Sequence, residues 1–197
     1  MLDEAQRYAG QLVESAQRIN SPSYLPWADA INTVLPFLRS PGSMDELQSY
    51  LACTASRSVF ADLLAFPLVA IEVLVYHAEL RPPRAVLEQL HKAMVARTGL
   101  FTTFNSIIEL VAAELETEPV AAANKRESAR SLAVQAGMRF LELVILTRQL
   151  LCAREPAEHA RVAALLRDAL TAWLADNNNI PRLTVAAQRA LQEKAMQ

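Results

Sequence analysis

Glu88-Gln89-Leu90-His91 sets a carboxylate and an imidazole three residues apart, the spacing at which two helical side chains share a face and can ligate one metal ion. Carboxylate-bridged di-iron proteins use this E-x-x-H twice, with two further carboxylates from other helices. No second copy exists among the three histidines. The pair is therefore expected on an exposed, salt-bridged helix face, and no metal is expected. His159 sits beside Glu158 in a first helical turn. His77 is the one histidine in surroundings apolar enough to stand over a haem. A core histidine with one backbone partner is the simpler expectation, and no cofactor is expected.

A second constellation is a set of ionisable residues on the two most apolar segments: Asp62, Glu72 and Tyr76 on one, Arg139, Glu142 and Arg148 on the other. Buried charges are costly and normally paired. If the two segments pack together, Glu72 could meet Arg139 or Arg148 and line a polar pocket for a small anion or a charged metabolite. The ligand-binding candidates are then Glu72, Tyr76, His77, Arg139 and Glu142. Structural pairing is the expected arrangement, and Arg139 and Glu142, three residues apart, could pair with each other.

Other chemistries are excluded by what the chain lacks. Its four glycines, Gly10, Gly42, Gly99 and Gly137, are isolated, so no loop can bring several backbone amides onto a phosphate. There is no G-x-S-x-G elbow. No catalytic residue is assigned. A formal net charge of -2 does not favour condensation on nucleic acid, which needs a basic patch to release counterions, and no nucleic-acid partner is expected. Cys53 and Cys152 form no C-x-x-C and are expected as reduced core thiols, which fits the cytoplasm. The N-terminus has early acids and no apolar block of the secretory kind.

The elements that would position these residues are all helical. Leu2, Ala5, Ala9, Leu12, Val13, Ala16 and Ile19 recur at helical spacing, and Asn20-Ser21-Pro22 ends that helix. Short helices are expected from about 27 to 38 and 44 to 52, the second opened by a Ser43/Glu46 capping box. Residues 58–80 form the most apolar segment. On a wheel of ~100° per residue, Asp62, Ala65, Glu72, Tyr76 and Glu79 fall in one arc, a narrow wet edge on a buried helix kinked at Pro67. Its charge-free stretch is too short for a membrane span.

Helices are expected from about 83 to 97, closed near Gly99, and from 103 to 116, where Glu114, Glu116 and Glu118 are expected in solvent. Residues 119–154 read as helical throughout, polar first and apolar on all sides from Met138 to Leu151, with 134–152 as the central helix. A helix opened by Glu155-Pro156 runs to Asp176-Asn177-Asn178-Asn179, and a last one, capped by Thr184, follows. The expected fold is all-α: a single-domain irregular helical bundle of about eight or nine helices, with 58–80 and 134–152 most buried.

Apolar residues make up 52% of the chain and mean hydropathy is +0.14. That leaves apolar area to be covered by a homo-oligomer, a protein partner or a small-molecule ligand. Trp27, Phe37, Tyr24 and Tyr50 would suit an interface, although core positions are expected. No motif identifies a family. The leading expectation is a non-enzymatic interaction or regulatory protein acting by self-association or by docking a protein partner. The alternative is a small-molecule binder or enzyme with its pocket between the 58–80 and 134–152 helices. Peripheral membrane association is a third possibility.

Overall fold

The computed structural model describes residues 2–20, 25, 28, 70–71, 74–75, 84–98, 105–176 and 180–193. Among these there are seven helices and no strands: α1 (Leu2–Arg18), α2 (Arg84–Thr98), α3 (Asn105–Leu115), α4 (Pro119–Gln135), α5 (Arg139–Cys152), α6 (Pro156–Ala175) and α7 (Pro181–Glu193). The expected helices at 27–38 and 44–52 lie outside the described residues, as do Cys53 and the four early aromatics. Of the 58–80 segment, Ala70, Ile71, Leu74 and Val75 are described, and all four belong to the hydrophobic core.

Each described helix follows from its sequence. α1 buries Ala9 and Ala16, seven residues apart on one line, and Asn20 just beyond it takes a positive φ of 49°. Asparagine tolerates that left-handed geometry better than most residues. α4 and α6 both open on proline, whose missing N–H would have no intrahelical partner at that position anyway. The last helix also opens on a proline, Pro181, so Thr184 lies within the first turn of α7 and is not its cap.

The continuous helix expected over 119–154 is in fact two. α4 ends at Gln135, Gly137 takes a φ of +66°, and α5 begins at Arg139. A left-handed residue cannot continue a right-handed helix, and glycine adopts that conformation without steric penalty. The N–H of Gly137 bonds back to the carbonyl of Val134, and that of Met138 to Ala133, closing the end of α4.

Short turns make neighbours of successive helices: α3 packs on α4, α4 on α5, α5 on α6, and α7 on both α5 and α6. Arg139, at the start of α5, bonds to Asp176, just past the end of α6, so these two helices run antiparallel. α5 is the most enclosed described element: Leu141 and every residue from Leu143 to Leu150 are buried. A helix apolar on nearly all sides has no stable place except between others. Its neighbours supply Ile107, Leu110 and Val111 from α3, Val162, Leu166 and Trp173 from α6, and Leu183 and Ala187 from α7. Trp173 also meets Phe140 with ring centroids 6.3 Å apart. Among the described residues no helix is long and apolar enough to cross a membrane.

Candidate functional site

Among the described residues, a dense grouping of ionisable side chains sits where the end of α3, the first half of α4 and the end of α5 converge. Glu114 is its centre. Oε1 accepts from Arg126 Nε on α4 at 3.2 Å and from the Cys152 thiol on α5 at 3.8 Å, while Oε2 accepts from Arg148 Nη2 at 2.5 Å. The side chains of Glu114 and Arg148 are 9% and 10% exposed, and that of Arg126 is 18% exposed.

Sequence reasoning expected Glu114, Glu116 and Glu118 in solvent; Glu118 is exposed and Glu116 only partly covered, and the structure corrects the expectation at Glu114. Glu114 is enclosed, Glu116 holds Lys125 at 2.9 Å, and Glu118 caps α4 by accepting from the amides of Val120 and Ala121. The missed signal was register. Ile107, Leu110, Val111 and Glu114 fall at i, i+3, i+4 and i+7, so this glutamate continues the apolar line of α3.

Glu114 has two opposing influences on its charge. Burial is the largest and favours the neutral acid. The Arg148 hydrogen bond and the charges of Arg148 and Arg126 together outweigh it and hold the carboxyl below the ordinary carboxylate range. Burial also dominates at Arg148 and opposes its charge, but Cys152 and Glu114 more than offset it, and the guanidinium stays firmly protonated. Of those two, Glu114 carries the charge at neutral pH, because burial pushes the Cys152 thiol up, against the opposing pull of Arg148.

A second set of contacts joins α4 and α5. Glu127 on α4 holds Arg130 at 2.6 Å and accepts from Gln149 Nε2 on α5 at 3.4 Å. Arg130 also stands 3.8 Å from Glu142. Thus α4, which buries only Ala122, Ala129 and Ala133, reaches both neighbours through its charged residues.

Of the five ligand-binding candidates, Glu72, Tyr76 and His77 lie outside the described residues. Arg139 and Glu142 do not pair with each other. Arg139 is exposed and takes Asp176, while Glu142 faces Arg130. Arg148, noted on the same helix, turns to α3. Glu88 pairs with Arg84 one turn earlier at 2.9 Å on an exposed face, in line with the salt-bridged reading of the E-x-x-H. Among the described residues no three metal-binding side chains cluster.

The grouping suits cross-linking better than catalysis. A general base needs a free lone pair and a raised pKa, whereas Glu114 has a lowered one and is engaged by two guanidiniums. A nucleophilic cysteine needs to be a thiolate, and Cys152 is held protonated next to a carboxylate. Comparison of the chain with protein-family models, curated proteins and solved structures finds no match.

Proposed function

We propose that the chain is a non-enzymatic interaction or regulatory protein, a single-domain helical bundle of eight or nine helices that acts in the cytoplasm by self-association or by docking a protein partner. The observation that carries this reading is the state of the enclosed charges. Glu114, Arg126 and Arg148 engage one another across three helices, so they hold helices together and are not presented to a substrate. Apolar content of 52% adds to it. So do large apolar side chains left more than 40% exposed on separate helices, among them Tyr8, Val95, Val134, Leu174 and Val185.

Native mass spectrometry of the purified protein tests the reading, since one spectrum reports subunit number and any retained molecule. A multimer, or a chain that captures a protein partner, without added small mass is the expected result. A subunit carrying a reproducible added mass would overturn it in favour of a ligand pocket.

A further inference from the structure

We propose that the outward face of α6 docks on the same face of a second copy of this chain, the two helices running antiparallel about a two-fold axis. This rests on the self-association reading above and assigns it a surface.

α6 is 20 residues long, about 30 Å, and its main packing partners among the described helices are α5 and α7. Its inner line is Val162, Ala163, Leu166, Leu170 and Trp173, while more than half of its residues are exposed. The middle of the outer face carries one cation and one anion, Arg161 and Asp168, seven residues apart and therefore nearly in line along the helix. Neither forms an ion pair with a described residue; the Arg161 charge reaches Glu127 only weakly, as the smallest of the influences on that carboxyl. Two turns is too far for the two side chains to pair within one helix, since pairing needs a separation of three or four residues.

Self-complementarity follows from this spacing. In a two-fold contact, if residue i meets residue j then j meets i. With the axis level with the Ala164-Leu165 peptide, Arg161 comes level with Asp168 of the second copy, and Asp168 with Arg161 of the second copy. Both residues lie slightly to the same side of the face, which is the side that meets its own equivalent in an antiparallel pair. One operation therefore makes two ion pairs. The exposed side chains along the contact line are short, with Ala157 level with Ala172 of the second copy and Ala164 beside the axis, so the backbones can approach until the longer charged side chains reach across. Glu158 and Arg167 stand about a quarter turn out on opposite flanks and do not enter the contact line. A parallel pairing would set Arg161 against Arg161 and is disfavoured by charge.

A contact made by one helix pair belongs to the small class of interfaces, so a dissociation constant of roughly 10–100 µM is expected. The test is sedimentation equilibrium of the full chain over ~1–300 µM, on the parent, Arg161→Asp, Asp168→Arg and the double charge swap. All substituted positions are exposed, and circular dichroism checks that each variant folds. Each single variant places like charges opposite each other twice, and should weaken the dimer by at least about tenfold. The double swap should return the constant to within about threefold of the parent.

A parent that self-associates with a constant indifferent to all three variants would overturn this surface and leave self-association standing through another face. Singles that weaken the dimer without recovery in the swap would likewise overturn it, because the effect would not come from the pairing. A parent that stays monomeric throughout would overturn both this surface and the self-association arm of the proposed function.

Discussion

Arg148 on α5 and Glu114 on α3 stand 34 residues apart in the chain and meet at 2.5 Å, enclosed to about the same degree, at 10% and 9% exposure. Neither helix presents that pair by itself. The contact exists because α3 and α5 both pack on α4, whose Arg126 takes the other oxygen of the same carboxylate.

Removing one partner of an enclosed ion pair leaves the other charge uncompensated. Glu114→Ala is expected to lower the unfolding free energy by about 3 kcal/mol, at the low end of the range for such pairs because Arg126 can turn partly to water. Urea unfolding measures it. Replacing both partners, Glu114→Leu with Arg148→Met, is expected to recover most of the loss, since it also removes Arg148 Nε, a buried atom with no hydrogen-bond partner. A double variant as unstable as the single one would contradict this account.

The same carboxylate links stability to pH. Its native pKa is lowered from the ordinary value, so the folded state binds the proton less readily than the unfolded chain. The stabilisation is fully present above the ordinary carboxylate range and is lost as pH falls through the lower native value. The stability gap between the parent and Glu114→Gln should accordingly be widest near neutrality and narrow toward pH ~3. A gap that stayed constant with pH would show that the variant acts by packing alone.

Cys152 is held protonated chiefly by burial. In a Cys53→Ser background, an aromatic disulfide reagent at pH 8 should label Cys152 at least about 100-fold more slowly in the folded protein than in urea. Labelling at the unfolded rate would mean that the α3, α4 and α5 junction opens readily.

Gly137 turns the chain between α4 and α5 at a φ of +66°, with nothing within 4 Å of the place a Cβ would occupy. The cost of a side chain there is thus conformational and not steric. Gly137→Ala should destabilise by about 1 kcal/mol, and Gly137→Asn by less, since asparagine visits the left-handed region more easily. Thermal melts of the two variants give the order, and equal costs would place the constraint elsewhere.

Among the described residues, helix positions and the enclosure of the 138–151 run were legible in the amino-acid sequence. The 3.6-residue recurrence of apolar side chains marks α1, α2, α3 and α6 to within a few residues, because a helix must bury one face and the spacing records which. The all-round apolar run from Met138 to Leu151 likewise marked α5 as enclosed before any neighbour was known. What failed were features that depend on one residue's backbone or on contacts distant in sequence. The break at Gly137 was hidden inside an unbroken helical pattern, because periodicity does not report φ. Thr184 resembled a cap until Pro181 proved to open the helix.

The site divides along the same line. The residue types were visible, and Arg148 was noted as a charge on an apolar helix that would require a partner. That the partner is Glu114, and that Arg139 and Glu142 turn away from each other to Asp176 and Arg130, was decided only by the packing of α3, α4, α5 and α6. Local pattern determines which face of a helix avoids water. Pairing between charges 34 or 37 positions apart depends on how those faces are rotated and stacked against one another, which no single segment of the sequence encodes.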